Sequence, residues 1–268
     1  MISVNKLKVS CIQLDMKFCD TDYNYSRAQE LIRETVKKEK TDVAVLPEMW
    51  STGYYPKDNL ASFCEKDGDR IKKSFSALAK ELDVNIVGGS IANIKNGGIF
   101  NTMYVFNRKG EIAAEYDKTH LFTPMDEHLS FEFGSQTPVF ELDGHRCAAV
   151  ICYDIRFPEL VRTLALKGIE LLFVCSQWPE ARIPHLQTLS AARAIENQMF
   201  TAVCNSCGTA DGTKFGGCSR LINPWGDVLA EAGDSESVVT ADMDFGIIEE
   251  IRNSINVFRD RRPELYRI

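Results

Sequence analysis

Three residues of reactive type stand where apolar runs end: Cys152, Glu48 and Lys118. Cys152 closes RCAAVIC and is followed by YDIRFPEL. A nucleophile there would leave a rigid strand just before a proline-started helix, where backbone N–H groups point outward. Glu48 ends VAVLPE; a carboxylate leaving a sheet is a candidate acid or base, because partial burial lifts its pKa towards neutrality. Lys118 closes AAEYDK, and an ammonium there could lower the pKa of a nearby thiol and hold a developing oxyanion. Each residue also has an ordinary reading. Free cysteine packs as a small hydrophobe, and carboxylates and lysines are mostly solvated.

The elements that must position these residues can be read from apolar periodicity. Residues 7–14 and 42–46 read as strands, and between them Ala28, Leu31, Ile32, Thr35 and Val36 mark one face of a helix. A second helix carries Ile71, Phe75, Leu78, Ala79 and Leu82, followed by a strand over 84–87 that ends at Gly88 and Gly89. Hairpins are expected around Arg108-Lys109-Gly110 and around Asp143-Gly144. A helix from Pro158 stops at Gly168, LLFVC is a buried strand, and Pro184 opens a helix running to Asn197. MFTAVCN is a strand, a hairpin turns at Pro224 to Asp227, and a last helix near 244–253 precedes an irregular basic tail. Alternating helices and strands with added hairpins predict a mixed α/β protein, in one domain over residues 1–268.

Composition narrows the function classes. The 268 residues are 44% hydrophobic and 26% charged, as in ordinary globular proteins. The net charge of −7 argues against nucleic acid and anionic membrane as partners. The N-terminal MISVNKLKVSCIQL has no signal-type apolar run, and nothing approaches 18 uninterrupted apolar residues, so a cytoplasmic protein is expected. Nine cysteines fit a set of buried thiols with one reactive member better than a disulfide framework. Cys204 and Cys207 form a C-x-x-C without a second pair, and the histidines at 120, 128, 145 and 185 are scattered, so neither metal nor organic cofactor is expected. A thiol-redox role for Cys204 and Cys207, and a papain-like pairing of Cys152 with His120 or His185, are the competing chemistries.

LPEMW around Glu48, YDKTHLF around Lys118 and ICYDIRFPEL around Cys152 resemble, in order, the three motif blocks of the nitrilase superfamily of carbon–nitrogen hydrolases. The likeness extends to RRPELY near the C-terminus. It implies an α/β fold, a four-layer αββα sandwich of two mixed β-sheets, and a homodimer or higher homo-oligomer. By the same resemblance Cys152 is the nucleophile, Glu48 the general base and Lys118 the oxyanion-side lysine. The family's second glutamate falls on Glu127, seven residues before Gly134, with Glu132 as the lesser candidate. The chemistry is sensible for an amide, a poor electrophile with a bad leaving group. Passing through a thioester replaces one hard step with two easier ones, with the backbone N–H of Tyr153 as a second oxyanion donor.

CSQWPEARIPHLQTLSAARAIENQ and INPWGDVLAEAG resemble the branch that hydrolyses ω-amides of small dicarboxylic acids, such as 2-oxoglutaramate. A carbamoyl-amine or nitrile hydrolase, or a non-hydrolytic acyltransferase, is the alternative. A carboxylate-bearing substrate needs a cation, for which Arg182 is the candidate; Arg156 is expected instead to pair with Asp154 or Glu159. Tyr54 and Trp178 are expected to line the pocket. Leu186 stands where the branch is expected to carry a tryptophan, which bears on the pocket's shape.

Overall fold

The computed structural model describes residues 5–266. In the first sheet β1 (Lys6–Gln13), β2 (Val43–Val45), β4 (Asn85–Lys95), β5 (Gly98–Phe106) and β6 (Ile112–Asp117) lie in the order β15-β1-β2-β4-β5-β6, with β15 (Ser237–Asp244) at one edge and β3 (Glu65–Lys66) beside β4. The second sheet has the order β14-β13-β10-β9-β8-β7, from β7 (Val139–Leu142), β8 (His145–Ile151), β9 (Leu171–Ser176), β10 (Phe200–Asn205), β13 (Arg220–Ile222) and β14 (Val228–Glu231). A separate ribbon pairs β11 (Thr209–Ala210) with β12 (Thr213–Lys214).

Each sheet is built on three parallel strands joined by two crossover helices. In the first, β1, β2 and β4 are parallel and α1 (Thr21–Glu39) and α3 (Asp69–Leu82) make the crossovers, α2 (Leu60–Phe63) being a single turn on the way. In the second, β8, β9 and β10 are parallel, connected by α4 (Pro158–Leu166) and α5 (Ile183–Asn197). Parallel strands covered on both faces are apolar throughout rather than alternating, which is what VAV, CAAVI and LLFVC read as.

The period of two sorts those residues into layers. Val9, Cys11, Val43, Val45, Ala149, Ile151, Phe173, Cys175, Ala202 and Cys204 pack between the sheets. Ala44 and Ile86 face outward against Ala28, Ile32, Ile71 and Phe75 of α1 and α3. Ala148, Val150, Leu172 and Val174 do the same against Val161, Leu164 and Leu186 of α4 and α5. The result is the αββα sandwich that the motifs implied.

Two readings of the chain need correction. The strand after Val84 does not end at Gly88-Gly89. β4 continues to Lys95, with its register to β5 shifted between Val87 and Ser90. Gly89 takes φ +60°, and a Cβ there would lie 2.1 Å from the Pro47 carbonyl oxygen, so only glycine lets the backbone approach the turn after β2. The other correction is β15, an edge strand pairing along its whole length with β1, where no strand was expected. The final helix, α6 (Gly246–Ser254), accordingly begins only after Asp244.

Candidate active site

The site forms where strands of both sheets end. Glu48 leaves β2, Lys118 leaves β6, Cys152 leaves β8, and Gln177 and Trp178 follow β9. Carboxyl ends of parallel strands are the usual place for ligands in α/β sheets.

The turn carrying Glu48 is gripped by the bulge of β4. Trp50 Nε1 donates to the Gly88 carbonyl at 2.7 Å, the Ser90 N–H to the Pro47 carbonyl at 3.2 Å, and the Met49 N–H to Ser90 Oγ at 3.0 Å. The Glu48 N–H reaches across to the Ser176 carbonyl of the other sheet at 3.4 Å. Its carboxylate is nearly inaccessible, and Oε1 accepts from both Lys118 Nζ at 2.8 Å and Asn101 Nδ2 at 2.9 Å.

Lys118 is fully buried. Its backbone N–H donates to the Asn101 carbonyl and its carbonyl accepts from the Gly134 N–H, both at 2.9 Å. A Cβ on Gly134 would sit 2.0 Å from the Asp117 carbonyl oxygen, so that residue must be glycine for the two turns to close. The Lys118 ammonium also meets both oxygens of Glu127, at 3.0 and 2.9 Å, and Glu127 Oε2 takes a further bond from the Phe122 N–H at 2.8 Å. Glu132 is exposed and is held through its backbone N–H to the Ile99 carbonyl. Of the two glutamates it is Glu127 that touches the lysine.

Two carboxylates around one ammonium decide the charges. Burial alone would depress Lys118, but Glu127 and Glu48 outweigh it and hold its pKa well above the usual lysine value. Burial lifts the Glu48 carboxyl above its ordinary value, with Lys118 opposing the rise and Glu127 adding to it.

Cys152 sits in the left-handed region at φ 47°, a conformation that costs a non-glycine residue about 1 kcal/mol or more and recurs at functional turns. It opens the short turn Cys152–Arg156, which is fastened by Asp154. The fully buried Asp154 carboxylate accepts from the Ile151 N–H at 3.0 Å, Tyr116 Oη at 2.7 Å, and the backbone N–H and Nδ1 of His120, each at 2.9 Å. One carboxylate therefore ties the cysteine turn to the lysine turn. Burial and the Glu48 charge push the Cys152 thiol well above its ordinary pKa, against the pull of Lys118 and the Gln177 backbone N–H. At neutral pH the sulfur keeps its proton beside an acceptor.

A cleft of about 580 Å³ opens onto Glu48, Glu127 and Cys152. Tyr54, Tyr153, Trp178 and Arg182, the four substrate-binding candidates, all line it. Arg156 lines it too, which corrects its expected pairing. Asp154 is already saturated by other donors and Glu159 is exposed, so the Arg156 guanidinium lies over the Trp178 ring at 4.5 Å. Arg182 lies over Phe122 at 4.9 Å. Among the described residues neither arginine has a carboxylate within salt-bridge distance. Leu186 points away from the cleft into the core beside α4. His120 is committed to Asp154 and stacks on Phe157, and His185 meets Arg156 at 3.3 Å; neither lines the cleft beside Cys152. Cys204 lies between the sheets, its thiol donating to the Ile12 and Val45 carbonyls at 3.3 and 3.2 Å. Asn101 and Gln177 escaped the sequence reading. The one sign of Asn101 was a polar residue interrupting the apolar run IFNTMYVF.

A buried Glu–Lys–Glu chain against a cysteine, on an αββα sandwich, defines a carbon–nitrogen hydrolase. The carbon–nitrogen hydrolase family matches residues 8–253, and the chain belongs to it. It is 44% identical over 261 residues to the 2-oxoglutaramate amidase of Bacillus subtilis (strain 168), covering 97% of this chain and 100% of that one. Among solved structures it superposes on Saccharomyces cerevisiae Nit3, described as a member of branch 10 of the nitrilase superfamily, with a TM-score of 0.89 at 28% identity, covering 96% of this chain and 97% of that one. It also superposes on an amidase from Nesterenkonia sp. AN1, with a TM-score of 0.84 at 25% identity over 97% of this chain and 95% of that one. That structure is a glutamate-to-glutamine variant showing covalent addition of the acetamide moiety of fluoroacetamide at the active-site cysteine. The chain is thus a hydrolase of carbon–nitrogen bonds other than peptide bonds, of the amidase type.

Proposed function

We propose that the protein hydrolyses the terminal amide of small dicarboxylic acid monoamides, 2-oxoglutaramate among them, to the acid and ammonia through a thioester on Cys152. Glu48 takes the thiol proton as sulfur adds to the amide carbon. Lys118 and the Tyr153 N–H receive the oxyanion, a contribution of about 3–4 kcal/mol per donor. Collapse of the tetrahedral adduct breaks the C–N bond, and Glu48 passes its proton to the departing nitrogen. Glu48 then deprotonates the water that attacks the thioester, and that proton returns to sulfur as the acid leaves. Glu127 keeps the ammonium charged and in place.

The observation that carries this reading is the contact set itself. The Glu48 carboxylate is bonded to Lys118 at 2.8 Å and Lys118 to Glu127 at 2.9 Å, the ammonium buried between them, and both glutamates line the same cleft as Cys152. The substrate class rests on Arg182 and Arg156, two guanidinium groups on the cleft wall without acidic partners among the described residues, and on the similarity to the Bacillus amidase. Guanidinium groups suit bidentate capture of a carboxylate.

The test is ammonia release over 2-oxoglutaramate, glutaramate, carbamoyl amines and aliphatic nitriles, with Cys152→Ala run alongside. The ω-amides should be turned over fastest and the alanine variant should be silent. Full activity in Cys152→Ala would sink the mechanism, and preference for a carbamoyl amine or nitrile would sink the substrate class.

A further inference from the structure

We propose that Asn101 is the positioning residue that presents Glu48 to Cys152 with one oxygen free, an inference that rests on the reading of Glu48 as the general base. Asn101 Nδ2 donates to Glu48 Oε1 at 2.9 Å, the same oxygen that accepts from Lys118 Nζ at 2.8 Å. The Asn101 carbonyl meanwhile accepts from the Lys118 backbone N–H at 2.9 Å. A single residue of β5 therefore holds the base through its side chain and the lysine through its backbone. With both donors converging on Oε1, Oε2 is the oxygen left for the proton on sulfur.

The amide orientation is forced. A carboxylate only accepts, so Nδ2 must face Glu48 and Oδ1 must turn away. Oδ1 is buried there and has no hydrogen-bond partner, although Asn101 is only 1% exposed. A buried acceptor left unmet is a net cost to folding. The side chain makes its one hydrogen bond to the base of the site, so stability does not account for an asparagine here and chemistry does. Without it, Lys118 alone would leave the carboxylate free to rotate about its own axis and turn both oxygens to the ammonium.

The test uses the full chain as wild type, Asn101→Leu and Asn101→Asp. Two quantities are followed from pH 5 to 9: ammonia release, and alkylation of Cys152 by iodoacetamide resolved by peptide mass. The second needs no substrate. For Asn101→Leu, kcat and the Cys152 alkylation rate at neutral pH should both fall about 10- to 100-fold, the worth of one hydrogen bond to a charged group, with KM within about threefold and no loss in melting temperature. Should the leucine variant fail to fold, Asn101→Asp decides. Its added carboxylate keeps the volume and raises the Glu48 pKa, so the acid limb of the alkylation profile should move to higher pH by about one unit. Alkylation within twofold of wild type in the leucine variant, or an unmoved limb in the aspartate variant, overturns the proposal. A wild type that releases no ammonia from any ω-amide, while Cys152 alkylation still depends on Asn101, overturns the substrate reading and supports this one.

Discussion

Lys118 and Glu48 meet at 2.8 Å with side chains only 1% and 4% exposed. Removing one partner of such a buried pair costs about 3–5 kcal/mol, because the other charge is left uncompensated. Lys118→Met leaves two carboxylates, Glu48 and Glu127, facing each other with no cation between them. The variant should be inactive and should melt well below wild type at pH 7.5. The Glu48 carboxyl, already raised by burial, would lose the opposing pull of Lys118 and lie further above its unfolded pKa, so the penalty is full at high pH and shrinks as pH falls through that raised value. Melting curves from pH 8 to pH 5 should show the gap closing; a gap that stays constant would mean that Glu48 is not charged in the variant.

The pH profile of kcat/KM follows from the same charges. As the proposed general base, Glu48 must be ionised to take a proton, and its pKa is raised above the ordinary 4.5, chiefly by burial. Activity is therefore present above that raised value and lost as pH falls through it. Lys118 and Cys152 are both shifted upward, so no alkaline loss is expected until beyond the ordinary range of either group. In Glu48→Gln, a thioester formed from an activated ester should persist by intact mass, since water activation is gone. An acid limb of unchanged position in that variant would assign the limb to another group.

Arg182 and Arg156 predict a split between substrates. Arg182→Met should raise KM for a carboxylate-bearing ω-amide by about 10- to 100-fold, the loss of a charged hydrogen-bonding partner. A neutral amide of the same length, such as valeramide, should change less than threefold. Equal losses on both substrates would mean that the arginine shapes the cleft through Phe122 rather than by its charge.

Asp154 predicts coupled loss of stability and activity. Asp154→Asn sets an amide donor among the Ile151 N–H, the Tyr116 hydroxyl and His120, costing about 3 kcal/mol for the donors left unmet. For a chain of this size that is a fall in melting temperature of roughly 6–12 °C. Thermal unfolding with and without Tyr116→Phe checks it. The double variant removes one competing donor and should recover part of the loss.

Much of the sandwich was legible because its two crossover units are local. The apolar face of α3 and the runs VAV and LLFVC each declare themselves within a dozen residues. β15 did not. It is a half-buried edge strand in which Val239, Ala241 and Met243 turn inward, and its partner β1 lies more than 220 residues away. Gly88 and Gly89 looked like a stop because glycine usually ends a strand, whereas here they make a bulge that only packing against Pro47 explains. The site shows the same division. Glu48, Lys118 and Cys152 could be picked out by motif. The side to which Arg156 points depends on the handedness of a five-residue turn and on Asp154 being claimed by Tyr116 and His120, contacts that adjacency in sequence cannot reveal.

The groups proposed to react straddle the sandwich, with Glu48 and Lys118 carried by one sheet and Cys152 by the other. Turnover is consequently a gauge of slip between the layers. A displacement near 1 Å can cost two orders of magnitude in rate, yet it leaves every ladder of backbone bonds within each sheet unbroken. Mild denaturant should therefore silence the enzyme before far-ultraviolet circular dichroism registers any change, and small inward side chains such as Ala149 and Ala202 act as the shims that set the gap.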